Sequence, residues 1–255
     1  MKLGGVSIHY RDTTKDFGKI GEFMLYDELN TILKKVVKDE FNSIVPIMYS
    51  HSSYRISEKL IKDYPELKNV LKRFVFGSNA FDIIPNYIFI DAEDRKKDKE
   101  YISMYGRKDN SRVVKYIEKQ YVIYPDNLDF YKVFIPNSNG CGSLGEVLST
   151  PVMGVPVMGS TETFISVGKF KTNKECENCL KYVKTKFTRL MLGILKVTQH
   201  NGPDKWRYVP IQDFTENSDI DWSVSISEID KQLYKKYGLD EKEIAFIEEK
   251  VKEME

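Results

Sequence analysis

From Thr172 the chain reads "TNKECENCLKYVKTKFTRLMLGIL", and no other stretch limits the fold as strongly. Cys176, Leu180, Val183, Phe187, Leu190, Met191 and Ile194 recur at intervals of three and four, which makes one apolar stripe at the helical period. Thr172 and Glu175 have capping-box spacing, and Glu177 adds a second acid to the first turn. The spacing predicts one long helix whose apolar side needs a packed partner. Its other sides carry Lys181, Lys184, Lys186, Arg189 and Lys196. From Lys174 to His200 six Lys/Arg stand against two Glu, a local surplus of four positive charges.

Upstream segments supply the partner. "YIFID", "VVKYIEKQYVIY", "FYKVFI" and "TFISVG" alternate or cluster β-branched and aromatic residues between Gly, Pro and Asn, so they read as strands, the second equally readable as a helix. "GEFMLYDELNTILKKVVKDEF" predicts an earlier helix with Leu29, Ile32, Leu33, Val36 and Val37 on one side. "SEKLIKDYPELKNVLKR" predicts a shorter one interrupted by Pro65. At the end, Ser225 with Glu228 opens a helix that Gly238 closes, and Asp240 with Glu243 opens another. The expected class is α+β: a mixed sheet with packed helices and a helical C-terminal extension. The expected divisions are a lead-in over 1–40, a central domain over 41–222 and a terminal helical pair over 223–255.

Bulk properties bound the function classes. The 255 residues can bury a real core, and a net charge of +1 offers no overall basicity for nucleic acid. No run of eighteen apolar residues and no apolar signal core occur, so neither membrane spanning nor secretion is expected. Three cysteines suit a reducing cytoplasm.

"NGCGSLGE" places Gly140, Gly142 and Gly145 at the spacing of a dinucleotide-binding turn. That turn must open a helix, and "VLSTPVMGVPVMGSTETF" cannot be one, because Pro151 and Pro156 interrupt it. The glycines therefore belong to a loop between extended segments. Cys176 and Cys179 form a C-x-x-C without a second ligand pair, and both fall on the apolar side, so core packing is expected rather than zinc. A metal-dependent nuclease needs an Asp followed by an acid-x-Lys on the next strand. Asp82 with Asp94 and Lys96 approximates it, but Asp94 lies in the charged run "DAEDRKKDKE". No catalytic residue is assigned.

The polar loop "PNSNGCGSLGE" lies between "YGRKDNSRVVKY" and the basic helix. Asn reads adenine edges, Arg reads guanine, and Gly lets a loop approach closely. Arg107, Arg112, Lys132, Asn137, Ser138, Asn139, Gly140 and Gly142 are candidates for a DNA face, with Lys181, Lys184 and Arg189 as phosphate contacts.

"YKVFIPNSNGCGSLGE", "ETFISVGKFKTNKECENCLKYVKTKFTRLMLGILKVTQ" and "WRYVPIQDFTENSDIDWSVSISEIDKQLYKKYGLDEKEIAFIEEKV" resemble, in this order, the C-terminal part of Type IIG and related restriction–modification DNA adenine-N6 methyltransferases. The opening "KLGGVSIHYRD" resembles the last strand region of their catalytic domain. In that family a glycine-rich loop holds S-adenosylmethionine and an N-P-P-Y/F motif holds the flipped adenine; "IPNYIF" from Ile84 to Phe89 matches neither. The resemblance implies a target-recognition region without its catalytic partner, either a fragment or one product of a split gene. It binds double-stranded DNA and needs a methylase domain in cis or as a separate subunit. S-adenosylmethionine is then the parent enzyme's cofactor, with none in this chain. The alternatives are a small Mg²⁺-dependent restriction endonuclease and a subunit-docking module.

Overall fold

A computed structural model describes residues 11–15, 24–38, 40–71 and 73–254, so the opening "KLGGVSIHYRD" lies almost wholly outside the described residues. The first helix, α1, runs over Asp27–Val36, shorter at both ends than its apolar pattern. Leu29, Ile32 and Val36 face inward. Two short strands follow, β1 (Met48–Tyr49) and β2 (Arg55–Ile56), then α2 (Glu58–Asp63). Pro65 ends α2 as expected, because it has no N–H to continue the ladder, and it starts a separate 3₁₀ turn.

"YIFID" departs from its expected strand. A short helix α3 (Ala80–Ile83) precedes it, and Pro85 turns the chain so that only Ile90 makes a bridge, to Tyr116. Its aromatic residues are consumed by packing: Phe89 meets Phe76 and Phe81 edge-on. The ambiguous segment is a strand. β3 (Tyr101–Lys108) and β4 (Ser111–Glu118) form a hairpin closed by Asp109 and Asn110, both at positive φ (48° and 62°). That two-residue turn matches the twist of the strands it joins. A further strand, β5 (Val122–Ile123), pairs with β2.

The remaining strands are β6 (Tyr131–Pro136), β7 (Val152–Gly154), β8 (Met158–Ser160) and β9 (Phe164–Phe170). β1, β9, β6 and β7 lie side by side, all antiparallel. β8 instead joins the hairpin, parallel to β3, and makes that sheet mixed. The fold is α+β.

The expected long helix is two. α4 (Asn173–Lys184) and α5 (Lys186–Gly193) meet at Thr185, which has left the helical conformation. Its hydroxyl donates to Tyr182 O and accepts from Thr188 N–H, so it ends one helix and caps the next. Thr172 accepts from Glu175 N–H as its spacing predicts, while the Glu175 carboxylate reaches Lys171 N–H. Two more helices, α6 (Ile226–Lys236) and α7 (Glu241–Lys250), begin at the expected caps, with a complete capping box at Asp240 and Glu243. Gly238, at φ 63°, closes α6.

Two apolar cores result. The larger joins α1 to one face of the four-stranded sheet and to α4 through α7, with Cys176, Cys179 and Trp206 fully buried. The smaller gathers Tyr54 to Leu128 under the hairpin. The chain passes between the two cores near Tyr49–Tyr54 and Leu128–Tyr131. α1 and α7 lie together through Tyr26 on Phe246 and Lys35 on Glu243, which joins the first and last described helices in one unit. Tyr105, Phe134 and Phe164 stack in the seam between the cores. No helix among the described residues is long and apolar enough to cross a membrane.

Candidate nucleic-acid interface

The glycine loop folds around its own carboxylate. Glu146 Oε2 accepts from the amides of Cys141 and Gly142 at 2.9 and 3.1 Å, so the concavity that resembles an anion nest is filled from within. Burial raises the Glu146 pKa, but Lys196 and these two amides outweigh it and hold it below the usual value. Lys196 is buried, paired with Glu146, and donates to the carbonyls of Asn139 and Thr198. Gly140, Gly142 and Gly145 all have positive φ. A Cβ on Gly142 would strike the Val197–Thr198 backbone, so this glycine serves loop closure.

This packing corrects most of the expected DNA face. Asn139 is buried; its amide donates to Val147 O at 3.0 Å and its carbonyl accepts from Ser149 N–H at 2.5 Å. No edge is left for adenine. Lys132 is fully buried beneath the sheet and donates to Leu128 O and Met158 O, both at 2.9 Å. Burial lowers its pKa to about 7.

The basic helix is corrected as well. Lys181 caps the carbonyls of Trp222 and Val224, Lys186 pairs with Glu248, and Arg189 is 1% exposed. The Arg189 guanidinium donates to the carbonyls of Lys184, Gly145 and Lys252, and burial lowers its pKa to about 10. Lys184 is half-buried beside Asp230 and Glu253 in a small recess. Lys181, Lys186, Arg189 and Lys196 thus hold the glycine loop and the C-terminal helical segment in place.

Four expected residues, Arg107, Arg112, Asn137 and Ser138, do come together. They line a cleft of about 760 Å³ that opens beside the aromatic seam. The hairpin contributes Arg107, Asp109, Asn110 and Arg112. Arg107 donates to Asn110 Oδ1 at 3.0 Å. Arg112 lies over the Phe164 ring and donates to the carbonyls of Ser149 and Thr150, so its guanidinium is held in one orientation. The end of β6 contributes Asn137 and Ser138. Asn137 N–H donates to Thr163 O, and its carbonyl accepts from Asn201 N–H.

No protein-family model, curated protein sequence or solved structure matches the chain. The geometry therefore carries the functional argument together with the resemblance.

The cleft also holds residues that no motif marked: His51, Arg73, Ser78, Asn79 and Glu162. They come from four separate chain segments, and no spacing links them. Asn110 had a signal, since an Asp-Asn pair between two alternating runs marks a hairpin tip. Asp82 reaches the cleft, but Asp94 sits in an exposed 3₁₀ turn and does not line it with Asp82. The acid pair of the nuclease alternative is thus not assembled. The docking alternative relies on the terminal helices, whose apolar sides (Ile229, Leu233, Phe246 and Ile247) are spent in the larger core.

Proposed function

We propose that the chain is a DNA target-recognition module for a restriction–modification adenine-N6 methyltransferase, with the β3–β4 hairpin and the cleft beside it as its DNA face. The observation that carries this reading is the hairpin tip. It brings Arg107, Asn110 and Arg112 into the lining of a polar cleft that Asn137 and Ser138 also line. A two-stranded ribbon fits the major groove, which is about 12 Å wide, and Arg and Asn match guanine and adenine edges there. Lys108, next to the turn, is placed for phosphate. The resemblance supplies the rest of the proposal: a methylase domain, in cis or as a partner subunit, binds S-adenosylmethionine and methylates the flipped adenine.

The test begins with selection of duplexes from a randomised pool by the full 255-residue chain. Anisotropy titrations of selected and scrambled duplexes then follow at several salt concentrations. Arg107→Ala is expected to cost roughly 1–3 kcal/mol on the selected duplex and much less on the scrambled one. Lys108→Ala should weaken both alike and lower the salt slope by about one. Equal losses on both duplexes for Arg107→Ala would show that the hairpin reads no bases.

A further inference from the structure

Two acceptor atoms in the cleft walls have no hydrogen-bond donor among the described residues. Glu162 stands on the link between β8 and β9, its backbone N–H tied to Phe76 O at 2.8 Å and its side chain 9% exposed. Oε2 pairs with Arg73 at 2.5 Å. Oε1 is buried without a hydrogen bond, and His51 Nε2 stays 3.7 Å away. Asn137 Oδ1, also in the cleft lining, is likewise buried with no hydrogen-bond partner among the described residues. Leaving such acceptors empty is costly, so a wall that keeps them is complementary to something that brings a donor.

The donors on the same walls narrow that ligand. Arg73 uses one terminal nitrogen on Glu162 and is two-thirds exposed, so further N–H groups of its fork face outward. A ligand edge that offers one N–H beside two acceptors satisfies both residues together. On the reading of the cleft as a DNA face, the C·G pair has that edge: the cytosine N4 amino group next to guanine O6 and N7. An A·T pair sets its amino group between two acceptors, adenine N7 and thymine O4, so it offers no adjacent pair of acceptors to a forked guanidinium, and its N7–N6 edge suits an amide. We infer that Glu162 is a specificity-determining residue that accepts from cytosine N4 of a C·G pair, with Arg73 on the guanine. Its fixed backbone and its ion pair with Arg73 orient the carboxylate before DNA arrives, so little order remains to be imposed on binding.

The inference rests on the DNA reading, and the experiment separates the two. The full chain and Glu162→Gln are each used to select duplexes from a randomised pool, with a thermal melt to check that the variant is folded. The wild-type chain should enrich a motif with an invariant C·G position, and the variant should relax or shift it toward A·T, since an amide suits adenine. Independently of any variant, N4-methylcytosine at that position replaces the N–H that faces the groove and should weaken wild-type binding roughly tenfold. A wild-type motif that the variant reproduces, or one that N4-methylation leaves equally tight, overturns the role of Glu162 while the DNA reading stands. Failure of the wild-type chain to enrich any sequence overturns both.

Discussion

Lys132 shows how far a single cation can be from the role its charge suggests. Its ordinary pKa is 10.5, and burial brings it to about 7 in the folded chain. Between those two values the unfolded chain holds a proton that the folded chain lacks, so this residue makes stability rise with pH across that window. Lys132→Met should flatten the rise in urea melts between pH 7 and 10; an unchanged slope would place its source elsewhere. The sign is the same at Glu146, in a more acidic window, because its pKa is also held down, despite burial, by Lys196 and the loop amides. Its contribution is present above about pH 4.5 and is lost as pH falls through the folded value. Glu146→Ala leaves Lys196 buried without its partner and should cost about 3–5 kcal/mol at neutral pH. A loss that stays below 1 kcal/mol in chemical denaturation would show that the loop does not depend on this pair.

At the scale of elements, the break between α4 and α5 has the largest effect on what the chain exposes. A continuous helix would carry Lys186 and Arg189, three residues apart, along one face. The turn at Thr185 redirects α5 so that Asp230 of α6 accepts from the amides of Lys186 and Phe187. Thr185→Ala removes the hydroxyl that caps α5 and should cost about 1–2 kcal/mol, read from the denaturation midpoint. Cys176 and Cys179 belong to the same element and are fully buried, with burial raising the Cys176 thiol to about 12 and the Cys179 thiol well above its ordinary value. The double change to Ala is expected to cost about 1–3 kcal/mol without altering the metal content of the purified protein. Stoichiometric zinc in the unchanged protein, lost in the double variant, would contradict the packing role.

Taken whole, the molecule joins its first and last described helices, α1 and α7, and leaves its polar cleft between two cores. This arrangement separates cations that hold the fold from cations that meet solvent. Arg189→Ala and Arg107→Ala are therefore expected to fail differently. The first should lower the melting temperature, because three carbonyls lose their donor, and the second should leave it nearly unchanged while weakening DNA binding. Calorimetry against S-adenosylmethionine should show no heat for the 255-residue chain; micromolar binding would move the catalytic function into it.

The parts of this protein that its sequence determined alone are local ones. Thr172, Ser225, Asp240 and Gly238 act within one turn of themselves, Pro65 removes its own N–H, and the alternation in "FYKVFI" and "TFISVG" marks strands whatever lies around them. Pro151 and Pro156 likewise act locally, and they keep the segment after the glycines from forming the helix that a dinucleotide turn must open. Tertiary structure decided which polar residues are free. Asn139 and Ser138 are neighbours in one motif, yet one is buried among the carbonyls and amides of its own loop and the other lines the cleft. Arg189 is spent on carbonyls from residues 145 and 252, partners that helical periodicity does not contain. Glu162, Arg73 and His51 are distant in sequence and meet only where β8 leaves one sheet and β9 enters the other. Periodicity registers what a residue does to its own turn or strand. A charge is satisfied by whatever the folded chain brings within about 3 Å, and that is a property of the packing.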